Sequence, residues 1–220
     1  MYMSLSLLSF IIFYFDFLSE EDCYKKVPNV ITMDVIRVME DILKRIVSVR
    51  KNPEEDLKNI SLHIQNLDDE IYNLIVSRLK KEIEIVKRYK PPVRPAIDPL
   101  VSSYLGIYSG LEFAEEYGRL MGYPRCCIES FKSVRFAIDE EHLKEVEDLK
   151  KEGKVALVIT SGFIPCSLKC KDAWKRCLIG SVFQREYNII IQLERELFRE
   201  LPHYHGGYSE YYEKIRFYNQ

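Results

Sequence analysis

From residue 35 onward apolar side chains return every three or four positions. Val35, Val38, Ile42 and Ile46 fall on one stripe, which predicts an amphipathic helix entered through Asp34 as its cap. The residues just before it, VPNVIT, read as an extended stretch. Pro53 opens a second, more polar helix, EEDLKNISLHIQNL. A third, long and amphipathic, runs through DDEIYNLIVSRLKKEIEIVKRYK and must stop at PPVRPAIDP, because proline lacks the N–H that a helix needs. That proline segment is the best linker candidate, so the chain divides into an N-terminal helical region, 1–90, and a cysteine-motif domain, 91–220.

Beyond the linker, Pro99–Gly122 reads as a single helix, with Val101, Tyr104, Tyr108, Leu111 and Gly118 along one stripe and Gly122 as its C-terminal cap. Gly106 and Gly110 would let another element approach closely. PRCCIESFKSVRFAI and DEEHLKEVEDLKKEG predict two further helices. KVALVITS, a short apolar run rich in β-branched residues, predicts a strand. PCSLKCKDAWKRCLIG and SVFQREYNIIIQLERELFRELP read as helical again, followed by an aromatic tail. One strand cannot form a sheet, so a partner is expected from the N-terminal segment, from residues 26–32 or from the tail. The expected fold class is mainly α with a small β element (α+β), around a helical bundle-like core.

The apolar N-terminus, SLSLLSFIIFYFDFL, changes this picture little. Its run before Asp16 is shorter than the about 20 residues a bilayer requires, and it has no basic leader or small-residue cleavage site. A buried helix or strand is expected, with a membrane-associated segment or a chain start at Met33 as alternatives. No transmembrane span is expected. A net charge of -2 and a pI near 6.2 argue against a general nucleic-acid binder, although a local basic patch stays open. Abundant Lys, Glu, Ile and Tyr suit a thermophile with surface ion-pair networks. No partner is legible, and a homo-oligomer stays open.

Six cysteines without an export signal suggest a reducing, cytoplasmic setting in which thiols serve as ligands or redox groups. Four of them form two tight pairs, in GYPRCCIESF and GFIPCSLKC. Pro124 favours the first helical position and so puts Cys126 and Cys127 in a first turn, and Pro165 is read to do the same for Cys166, with Cys170 one turn on. At i and i+4, Cys166 and Cys170 would share a helical face. The positive end of a helix favours thiolates. Together Cys126, Cys127, Cys166 and Cys170 offer the four sulfurs that a tetrahedral zinc or a four-iron iron–sulfur cluster requires. Lys169, Lys171, Lys175, Arg125 and Arg176 would offset their charge. Neither pair has C-x-x-C spacing, and the cysteine triplet of radical S-adenosylmethionine chemistry is absent. A thiol–disulfide redox role and a structural module with packed cysteines therefore stand as alternatives, and whether the protein is an enzyme is not legible. Cys23 and Cys177 are expected simply to be buried.

Among other polar residues, His203 and His205 in PHYHGG read as an exposed loop, with a metal-binding pair as the alternative. His63 and His142 are expected on solvent-facing helices. Glu112, Glu115, Glu116 and Arg119 form a stripe that is either solvated, with Glu115 pairing Arg119, or turned toward the thiolates. No phosphate-binding glycine loop is present, and the Ser161–Gly162 turn offers backbone donors for an anion without forming a motif. Taken together, the two cysteine segments resemble the largely archaeal family catalogued as domain of unknown function 483. The resemblance covers roughly residues 91–200 and implies that the four cysteines belong together. It implies no activity, and it leaves the first ninety residues particular to this chain.

Overall fold

The structure, a computed structural model, describes residues 33–107, 109–131, 139–202 and 211–217. It is mainly helical. The first helix, α1 (Val35–Lys51), starts as the sequence predicts, with the Asp34 side chain accepting from the Ile36 N–H and so satisfying a donor that the helix start leaves unpaired. A 3-10 turn (Glu55–Leu57) leads into α2 (Lys58–Asn66), and α3 (Asp69–Tyr89) ends at Lys90, which adopts a left-handed conformation ahead of the prolines. The apolar stripes of α1 and α3 meet in one core that includes Met39, Ile42, Ile46, Leu79, Ile83 and Val86.

Segment 91–98 does not run over the surface. Val93, Arg94, Ala96, Ile97 and Asp98 are all buried, and the Arg94 and Ala96 N–H groups donate to the carbonyls of Cys177 and Tyr211. After it come α4 (Pro99–Tyr104) and α5 (Leu111–Leu120) in place of the single expected helix. Two glycines break it. Gly110 has φ +147 and ψ 172, a conformation essentially closed to residues with a side chain, and a Cβ on Gly106 would come within 2.9 Å of the Phe113 ring. The expected stripe is split accordingly, leaving Leu111 79% exposed.

The remaining elements are α6 (Arg125–Phe131), α7 (Glu140–Leu149), β1 (Lys154–Thr160), α8 (Lys171–Lys175), β2 (Ile179–Phe183), α9 (Gln184–Glu200) and β3 (Tyr212–Arg216). The three strands form one antiparallel sheet in the order β2-β1-β3, with the predicted strand at its centre. The tail supplies β3, one of the three sources the sequence offers. β2 is a correction, since residues 179–183 were expected to be helical. Five residues carry no clear period of their own, and it is pairing with β1, Val158 opposite Gly180 and Ile159 opposite Ile179, that fixes them as a strand.

Neighbouring side chains of a strand point to opposite faces, and β1 uses both. Ala156 and Val158 join the helical core with Ile190, Leu193 and Leu197 of α9, whereas Leu157 and Ile159 join a second cluster with Phe163, Leu168 and Trp174. A strand between two cores needs to be apolar at successive positions, which accounts for the unbroken run VALVI. Cys127 and Cys170 lie in the second cluster, on the far side of the sheet from the main helices.

Candidate metal centre

The first cysteine pair is launched by the end of α5. Gly122, at φ +70, donates its N–H to the Arg119 carbonyl while Tyr123 donates to Gly118, the paired bonds by which a left-handed glycine closes a helix. Three guanidinium groups bind the carbonyls there: Arg45 donates to Arg119, Arg94 to Met121 and Arg176 to Gly122. Positive charge at this end complements the helix dipole. The chain then turns through Pro124, whose carbonyl accepts from the Cys127 and Ile128 N–H groups, and α6 begins at Arg125. Cys126 and Cys127 therefore occupy a first helical turn, as the sequence predicts.

The second pair arrives differently. Residues 161–170 are turns rather than helix, and Cys170 is the residue before α8. Cys166 and Cys170 thus converge through a tight arch instead of sharing a helical face. Inside the arch Cys170 donates its N–H to the Ser167 carbonyl, and the Trp174 indole N–H donates to that of Leu168. The arch also reaches across to the first pair, because the Cys166 N–H donates to the Cys127 sulfur at 3.4 Å.

All four sulfurs lie within 4.8 Å of one another. Cys126 to Cys170, Cys127 to Cys166 and Cys127 to Cys170 are each 3.7 Å apart. Four ligands at about 2.3 Å around a tetrahedral zinc stand about 3.8 Å from one another, close to the three shorter sulfur separations here, so these residues could hold one metal ion. The thiols are unequal. Hydrogen bonds from Cys126, Cys127 and Cys166 hold Cys170 well below the ordinary thiol range. Cys127 is pushed up by its hydrogen bonds to Cys126, Cys166 and Cys170 and by burial. At Cys126 the lowering effect of Cys127 is outweighed by Cys166, Cys170 and burial. Cys127 and Cys170 are buried, whereas Cys126 and Cys166 are half-buried.

Helix α7 holds the arch in place, a role the sequence does not reveal. Glu145 accepts from the Ser167 hydroxyl and the Leu168 N–H, both at 2.6 Å, and Lys169 pairs with Asp148. His142, expected at the surface, is 6% exposed; its ring lies 2.8 Å from Asp139 through Nδ1 and 2.9 Å from the Pro165 carbonyl through Nε2. Asp139 also accepts the first N–H groups of α7, and these bonds to His142 and Glu141 hold its carboxyl below its usual range. The spacing of His142, Glu145 and Asp148, three apart, was the available signal, since it keeps three polar groups within an arc of about 120° on one side of the helix.

Other expectations resolve individually. Arg125 pairs with Glu129 and Lys175 with Asp172, so with Lys169 these cations have carboxylate partners of their own rather than serving the sulfurs alone. Glu115 pairs with Arg119 as expected, but Glu116 neither faces solvent nor the thiolates: it is buried and accepts from the Asn59 and Ile60 N–H groups at the start of α2. His63 is half-buried, with its ring 2.7 Å from the Tyr104 carbonyl and edge-on to Phe113. Cys177 is buried apart from the four, and burial pushes its thiol up to about 11. Cys23, His203 and His205 and the apolar N-terminus lie outside the described residues. Among the described residues no helix is long and apolar enough to cross a membrane.

Fold and site together define a mainly helical protein with a small antiparallel sheet and four clustered cysteines able to hold a metal ion. Residues 79–198 match the protein family of unknown function DUF483, and the chain belongs to that family. It is 51% identical over 183 residues to an uncharacterised protein of Methanocaldococcus jannaschii, covering 81% of this chain and 98% of the relative. An uncharacterised protein of Methanothermobacter thermautotrophicus is 49% identical over 183 residues, covering 82% and 98%. Matches of that length take in part of the first ninety residues, so that region is not wholly particular to this chain. No solved structure matches.

Proposed function

We propose that the protein binds a single metal ion, zinc by the softness of its ligands, through Cys126, Cys127, Cys166 and Cys170. The observation that carries this reading is the convergence of four sulfurs within 4.8 Å, three pairs of them at 3.7 Å. Those spacings favour one ion over a four-iron cluster, in which each iron takes its own thiolate and the cluster core would force the four sulfurs further apart. Four protein ligands leave no open coordination position, so the role is structural: the ion ties the first turn of α6 to the arch before α8. A thiol–disulfide role for the same cysteines draws on the same geometry, since the Cys170 sulfur lies 3.7 Å from those of Cys126 and Cys127.

Metal analysis of the anaerobically purified chain separates these readings. The expected result is one zinc per chain and no visible colour, with zinc lost in Cys127→Ser and Cys170→Ser but kept in Cys177→Ser. Stripping the zinc with a chelator should lower the thermal midpoint, because binding energy at such a site is also folding energy. Brown protein with iron and sulfide would replace zinc by a cluster. Metal-free protein whose thiols react at neutral pH would overturn the metal reading in favour of redox chemistry.

A further inference from the structure

Beside the sulfur cluster, the described residues line a pocket of about 230 Å³, partly open to solvent, between α5, α6 and the turn after β1. Tyr117, Tyr123, Phe163, Ile128 and Ala114 line it, and so does Cys127; among the described residues no Lys, Arg, Asp, Glu or His does. A concave pocket lined by apolar and aromatic side chains is the usual form of a small-molecule site. An apolar cavity of about 150 Å³ is enough to stay dry and take up benzene. This one has room for a second ring.

Its walls are also chemically selective. The Tyr123 and Phe163 rings meet at 5.0 Å with 56° between their planes, leaving an aromatic corner. The Arg94 guanidinium sits 5.5 Å from the Tyr123 ring, but Arg94 does not line the cavity. The Tyr117 hydroxyl is engaged by Ser102 at 2.7 Å, so this residue presents its ring. A charged ligand entering here would lose its hydration without a counter-ion, whereas a flat neutral ring gains edge and face contacts on several sides.

We propose that this cavity is a binding site for a small uncharged aromatic molecule of one or two rings, seated against the Cys127 sulfur. The contact with the metal centre rests on the tetrathiolate reading above; the cavity itself does not. Because Cys127 is a wall of one site and a member of the other, an occupant changes the surroundings of the metal without becoming a ligand.

The test uses the zinc-loaded full chain and indole as probe, with benzoate as a charged control of similar shape, read by saturation-transfer NMR and titration calorimetry. Indole should bind and benzoate should not. Ala114→Leu and Ile164→Phe, which fill the cavity from α5 and from the arch, should each weaken indole by at least about tenfold while retaining zinc and the wild-type circular dichroism. No indole binding, or equal binding to both folded variants, overturns the site. In cobalt-substituted protein, indole should shift the thiolate-to-cobalt absorption; a spectrum unmoved at saturating indole overturns the contact with Cys127. Failure of cobalt to bind at all would sink the tetrathiolate reading and leave the indole titration to judge the cavity alone.

Discussion

Glu145 places both carboxylate oxygens on the arch that carries the second cysteine pair, one on Ser167 and one on Leu168. Bonds of this kind orient metal ligands without touching the metal, and losing one typically costs about 10–100-fold in affinity. Glu145→Ala should therefore weaken zinc by that amount in competition with a chromophoric chelator. Glu147→Ala, on the same helix but 71% exposed and paired with Lys150, should not. The four clustered cysteines were legible in the sequence because two tight cysteine pairs next to prolines are conspicuous in a chain with six. Glu145 and His142 were not, because a polar stripe on a helix looks the same whether it faces water or an irregular loop full of unpaired backbone groups. Glu116 was misread for a related reason: a buried carboxylate that caps a neighbouring helix has no partner in its own stretch of sequence.

Among the elements, α1, α3, α9 and β1 could be read directly, since each has a strong period or an unbroken β-branched run. The 99–122 segment could not. Its apolar spacing continues across Gly106 and Gly110, and only the backbone reveals that Gly110 adopts a conformation reserved for glycine. Gly110→Ala tests this cleanly, because a Cβ there meets nothing within 4 Å and any cost is backbone strain. A loss of about 1–3 kcal/mol is expected, seen as a lower denaturant midpoint with an unchanged slope. A neutral substitution would mean that the two helices can join. The arch at 163–170 was hidden differently: a proline followed by cysteines four apart matches a helix start in sequence, but the turn hydrogen bonds of Ser167 and Leu168 give it another course.

In the whole molecule one sheet separates two cores of unequal size. Among the described residues 32 buried apolar side chains form the helical core and only 13 the cluster on the other face, and that smaller cluster holds Cys127 and Cys170. A core this small gains from a staple beyond apolar burial, as small domains generally do. A metal ion joining α6 to the arch, as proposed above, would supply one on the side of the smaller cluster. X-ray absorption at the metal edge of the purified chain tests the claim most directly. Four sulfur neighbours at about 2.3 Å around a single zinc is the expected result. A shell containing nitrogen or oxygen, or a second metal close by, would contradict it.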